Sequence, residues 1–91
     1  SRDRRLGEYA TLDVGVWLGV FLSSAQSLGI ATCAMASVAA YPAPLRKLLE
    51  IPDEQVILFG VALGTADPNV PANSASTIRQ PVSANLRYVT P

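Results

Sequence analysis

Between Asp13 and Arg46 the chain carries no charged side chain, and the apolar positions early in that stretch recur at helical spacing. Val14, Leu18, Phe21, Ala25 and Leu28 follow one another at alternating intervals of four and three, which predicts one apolar stripe on an α-helix. Val16, Trp17 and Val20 make the other faces apolar as well, so the first half of this helix is expected to be buried all round. Thr11 reads as its N-cap, and Asp13 as a first-turn carboxylate that favours the helix dipole. Gly29 followed by Ile30 reads as a left-handed C-terminal cap. A glycine inside a helix costs about 1 kcal/mol relative to alanine. Gly15 and Gly19 therefore predict a neighbour close to the backbone, either a partner helix or a flat ligand.

Downstream the pattern changes character. Residues 31–40, ATCAMASVAA, are small and fit either a short strand or a backbone-lined loop. Pro42 and Pro44 open a second helix, since proline is tolerated in a first turn. Leu45, Leu48 and Leu49 form its inward stripe, with Arg46, Lys47 and Glu50 outside, and IPDEQ turns the chain away. Residues 56–63 are a continuous β-prone apolar run, the pattern of a central strand covered on both faces. Gly60 within the run predicts close approach of another backbone. Residues 67–76, rich in Pro, Asn and Ser, read as a long loop of the kind that often carries function. Residues 82–89 are weakly β-like and are expected to dock on something else. No internal repeat is present.

A length of 91 residues bounds the molecule to one domain, and 49% hydrophobic residues is high for so small a soluble unit. Much of that apolar surface is expected to meet another chain or another part of the same chain. A membrane span is disfavoured by length. About 20 consecutive apolar residues are needed, whereas the run at 14–22 gives way to Ser23, Ser24, Gln26 and Ser27. Seven basic and seven acidic residues cancel, so no overall field gathers nucleic acid or anionic lipid. Arg2, Arg4 and Arg5, diluted by Asp3, read as a solvated surface cluster. The start SRDRR has no apolar segment behind it and does not read as a signal peptide.

Catalytic chemistry is sharply limited. The absence of histidine removes Ser/His and Cys/His catalysis and imidazole metal sites. Cys33, the single cysteine, fits a reducing compartment and reads as a small buried structural residue without a base beside it. Asp53 and Glu54 read as solvated turn residues. The segment GVALG at 60–64 lacks the Lys-Ser/Thr ending of a phosphate loop. Arg79, alone in TIRQP after the polar loop, is either a surface arginine or an anion clamp, for which the guanidinium fork is suited.

Taken in order, DVGVWLG, LGIATCAMASVAAYPAPLRKLLEIPDEQVILFGVALGTAD and NSASTIRQP resemble the C-terminal half of the FMN-dependent nitroreductase family, in a nitrobenzoate-reductase-like subgroup. The matching marks are D-x-G before a helix, LG-x-x-TC, Y-P, the P-D-E turn, a strand ending ALG-x-x-D, and a late R-x-P. The resemblance covers nearly the whole chain. It implies an α+β fold with a helix-flanked sheet. Residues 1–91 would be the C-terminal part of one such domain: core helix, second helix, central strand and extended tail. The family's N-terminal half would lie outside the chain. The resemblance further implies a cytoplasmic, intertwined homodimer with FMN at the subunit interface. NAD(P)H would be the reductant, and a small nitroaromatic, quinone or similar molecule the electron acceptor. No nucleic acid and no membrane would be involved. Cofactor-binding residues carried over are Ala34, Met35, Ala36 and Ser37 along the isoalloxazine ring, with Arg79 at the phosphate. No catalytic side chain and no metal are implied.

Three positions depart from the family pattern. Gly19 stands where a Gln often contacts the flavin, Thr77 where a second basic phosphate ligand is common, and Ala34 where Pro is frequent. Gly19 and Thr77 favour an alternative reading, a non-catalytic dimerisation module of the same fold. A small membrane protein joined through Gly15 and Gly19 is the third and disfavoured reading.

Overall fold

The computed structural model describes residues 2–91, with side chains described from Leu6 onward. The expected solvated cluster of Arg2, Arg4 and Arg5 thus lies outside the described side chains. Helix α1 runs Arg2–Ser27, strand β1 Ala31–Met35, helix α2 Pro42–Leu49 and strand β2 Gly60–Gly64. Three 3₁₀ turns, Ala36–Ala40, Pro71–Ser74 and Val82–Ala84, punctuate the rest. The α+β class expected from the sequence is what the chain adopts.

Helix α1 starts well before the expected cap. Thr11 lies inside it and donates its hydroxyl to the Gly7 carbonyl at 2.9 Å, one helical turn back. Mid-helix threonine satisfies its hydroxyl in this way, so the same residue type serves a cap or an interior position. The far end follows the expectation. Gly29 has φ 76°, its N–H reaches the Gln26 carbonyl at 3.0 Å, and the Ile30 N–H reaches the Ala25 carbonyl at 2.9 Å. Those two bonds are the Schellman pair that satisfies the last carbonyls of a helix.

The apolar stripe is real, but the burial all round is not. Val14, Leu18, Phe21 and Leu22 are half-buried and Ala25 is 7% exposed, whereas Leu28 at the stripe's end is exposed. On the other faces Val16, Trp17 and Val20 are open, Trp17 at 55% and Val20 at 63%. Trp17 stacks on Phe21 with ring centroids 5.0 Å apart. The space beside Gly15 and Gly19 is empty in the single chain. No helix among the described residues is long and apolar enough to cross a membrane.

Strands β1 and β2 form a two-stranded antiparallel sheet in which Ala31 faces Gly64 and Met35 faces Gly60. The run at 56–63 is therefore not a central strand within this chain. Only its later part finds a partner, because β1 offers five residues to pair with and residues 56–59 lie beyond its reach. Continuous apolarity reports a demand for cover on two faces, and one chain supplies little of it. Gly60 pairs with Met35 of β1, and the atoms nearest to a β-carbon built on it are those of the Val38 side chain.

Helix α2 begins at Pro42 as expected and ends at Glu50, which takes a left-handed φ of 54°. The Glu50 and Ile51 N–H groups both donate to the Arg46 carbonyl, and the Arg46 guanidinium donates to the Pro52 carbonyl at 2.8 Å. Of the expected inward leucines only Leu45 is half-buried; Leu48 and Leu49 are exposed. The tail at 82–89 forms no strand; it holds one 3₁₀ turn and is exposed throughout.

The whole is flat and open, 50 × 48 × 23 Å with a radius of gyration of 17.6 Å. A compact domain of this length has a radius near ~12 Å. Accessible surface tells the same story: the chain exposes 8313 Å², against about 5,100 Å² for a compact monomer of this mass. Its packing is carried by α1 on β1, β1 on β2, and the Ala36–Ala40 turn on β2.

Candidate functional site

Residues 34–37 sit where the sheet ends. Ala34 is paired with Val61 and Met35 with Gly60, after which the chain leaves the ladder and tightens into the turn Ala36–Ala40. The reason is local. Small residues accept the tight i→i+3 geometry, and the β-branched Val38 packs back over Gly60, where no side chain competes for the space. Ala34, Ala36 and Ser37 are exposed and Met35 is half-buried. Exposed positions with nothing larger than a hydroxymethyl group form a wall that a planar ring can approach to backbone distance. In that respect the segment fits an isoalloxazine ring.

Arg79 belongs to a different part of the chain, between the second and third 3₁₀ turns, and it is exposed. Its guanidinium donates to the Thr77 hydroxyl two residues back. The threonine that departs from the expected basic pair thus steadies the arginine and leaves its other N–H donors to the solvent. Such a fork fits a phosphate. The loop leading to it is tied internally. Asp67 accepts the Asn69 N–H on its carboxylate at 2.9 Å, and the Asn73 amide donates to the Asp67 carbonyl at 2.6 Å. Ser74 Oγ donates to the Pro71 carbonyl at 2.8 Å. The sheet thus brings residues 34 and 35 against 61 and 60, while Arg79 is not part of that arrangement.

Cys33 is exposed, contrary to the buried position expected of it, with Sγ 3.9 Å from the Ala34 carbonyl oxygen. Asp53 and Glu54 occupy an exposed turn closed by the Gln55 N–H on the Pro52 carbonyl. An open groove of about 670 Å³ lies elsewhere. It is a groove between α1 (Gly7, Ala10, Thr11, Val14) and Val56 and Leu58, and none of the five expected cofactor residues lines it. Its lining is mostly apolar, so it reads as a packing groove. Sequence reasoning missed the Val38–Gly60 fit; the signal available was a glycine inside an otherwise apolar run.

The nitroreductase family matches residues 1–65. A 4-nitrobenzoate reductase of Nocardioides sp. (strain LMS-CY) is 35% identical over 89 residues, covering 98% of this chain and 35% of that protein. A 4-nitrobenzoate reductase of Pseudomonas putida is 35% identical over 78 residues, 86% of this chain and 34% of that protein. A nitrobenzene nitroreductase of Ectopseudomonas oleovorans is 32% identical over 89 residues, 98% of this chain and 39% of that protein. The chain spans about a third of the length of these curated relatives. With a family match across most of its length and an α+β layout of the expected kind, the chain belongs to the nitroreductase family.

Proposed function

We propose that residues 1–91 are the C-terminal part of a nitroreductase domain that acts as an FMN-dependent oxidoreductase, reducing nitroaromatic, quinone or similar acceptors with NAD(P)H. The observation that carries this reading is the wall of exposed small residues Ala34, Ala36 and Ser37, in a chain 35% identical to 4-nitrobenzoate reductases. Bound FMN would supply the chemistry by taking hydride from NAD(P)H and passing it to the acceptor, which is why no acid–base side chain is needed. The chain's own residues have binding roles. Ala34, Met35, Ala36 and Ser37 would bring backbone against the ring, and Arg79, steadied by Thr77, would hold the phosphate.

The same reading supplies the missing cover. The accessible surface exceeds that of a compact monomer by about 3,200 Å² per chain, more than the about 1,000–2,500 Å² that each partner gives up in an obligate homodimer interface, so a second copy alone does not account for it. Leu12, Val16, Trp17 and Val20 on the open faces of α1 are where we place a second copy or the preceding half of the domain. A cytoplasmic site of action fits the single cysteine.

The rival reading, a dimerisation module without cofactor, is favoured by the open space beside Gly19 and by Thr77 in place of a cation. One experiment separates the two. The full-length dimer, reconstituted with FMN, should show flavin absorbance that NAD(P)H bleaches without oxygen and a nitroaromatic restores. A folded dimer that takes up no flavin would favour the module.

A further inference from the structure

Gly60 stands opposite Met35 in the last register pair of the sheet. A β-carbon at Gly60 would lie 2.8 Å from Cγ2 of Val38 and 3.3 Å from its Cβ and Cγ1. Folded proteins do not sustain a carbon–carbon contact of 2.8 Å, which is far inside the optimal separation of about 3.5–4.0 Å. Val38 has no cheap way out, because a β-branched side chain is stiff at χ1 and its turn packs on β2. Gly29 is the glycine with positive φ among the described residues, so Gly60 is not required for its backbone freedom. What Gly60 provides is room for Val38.

That room governs the segment between. Met35 is fixed before it by the ladder, and Val38 is fixed after it by the seat on Gly60. Ala36 and Ser37 are held at both ends, with no side chain of their own to anchor them. We infer that Gly60 and Val38 are positioning residues that set how the backbone at 34–37 faces the flavin ring. The inference rests on the flavin reading above. Filling the seat with a methyl would displace Val38 and tilt Ala36 and Ser37, and misplacements well under 1 Å are felt where a site works by orientation. Because the effect acts at the ring, FMN and riboflavin should suffer equally, unlike any change at the phosphate.

The test uses Gly60→Ala, Val38→Ala and the double variant, with amide exchange and flavin titration both measured on the full-length protein, the titration starting from its flavin-free form. Gly60→Ala should speed exchange across 36–40. It should weaken FMN and riboflavin alike by about tenfold, the scale of a modest overpacking penalty, and shift the visible band of the bound flavin. Gly60→Ala/Val38→Ala, where the new methyl finds space, should return the exchange pattern and most of the affinity. Unchanged exchange in Gly60→Ala, or a double variant no better than the single, overturns the positioning role. Altered and rescued exchange with unchanged flavin affinity and spectrum shows instead that the ring lies elsewhere, which overturns the flavin placement. If Gly60→Ala yields no folded protein, a folded double variant with a near wild-type flavin band supports the role, and an unfolded one contradicts it.

Discussion

The backbone N–H of Ile30 donates to the carbonyl of Ala25 at 2.9 Å, and Ala25, 7% exposed, is the buried residue among those described. The end of the long helix and the start of β1 are thereby locked at the best-packed point of the chain. Gly29 makes the link by taking φ 76°. A residue with a β-carbon pays a penalty of about 1–2 kcal/mol in that conformation. Gly29→Ala is expected to lower stability by about that amount in urea unfolding at fixed protein concentration. A variant as stable as wild type would mean that the turn does not direct the strand.

The open faces of α1 predict association. Trp17 and Val20 lie exposed in one apolar surface with Leu12 and Val16, and contiguous apolar patches of this kind mark interfaces. The isolated chain should sediment above monomer mass, and Val20→Glu should shift it toward the monomer. A strictly monomeric wild-type chain with a cooperative, concentration-independent unfolding transition would contradict this.

Local signals were legible in the sequence and non-local ones were not. The stripe on α1, the Gly29 cap, the proline start of α2 and the turn at Asp53 and Glu54 each depend on residues within a few positions of one another. Part of the extension of α1 ahead of Thr11 was also encoded. Gly7, Thr11, Val14, Leu18, Phe21 and Ala25 continue the same alternation of four and three, but Thr11 has the side chain of a cap and Gly7, with no side chain, disfavours a helix interior. The extent of β2 was not readable, because pairing is set by the length of β1 and not by the apolarity of residues 56–59. Of the two segments proposed to hold the cofactor, residues 34–37 were suggested only by resemblance, while Arg79 read from the sequence alone as either a surface arginine or an anion clamp.

Cys33 gives a third prediction. It is exposed in the single chain, so a thiol reagent should modify it readily in the isolated chain and more slowly once the surface is covered. Cys33→Ser should change stability by no more than about 0.5 kcal/mol, as for surface substitutions generally. Hydride transfer in the holoprotein should stay within a few-fold of wild type, about 1 kcal/mol of barrier at most. A collapse in turnover at unchanged flavin content would assign the thiol a role in the reaction.

The most direct test of the flavin account compares FMN with riboflavin on wild type and Arg79→Ala in the full-length protein. A charge-assisted hydrogen bond to phosphate is worth about 1.5–3 kcal/mol, so Arg79→Ala should weaken FMN by roughly 10- to 150-fold. Riboflavin, which lacks the phosphate, should bind both proteins equally, and added salt should weaken FMN more in wild type than in the variant. Equal losses for the two flavins, or no loss for either, would make Arg79 a surface arginine and contradict the site.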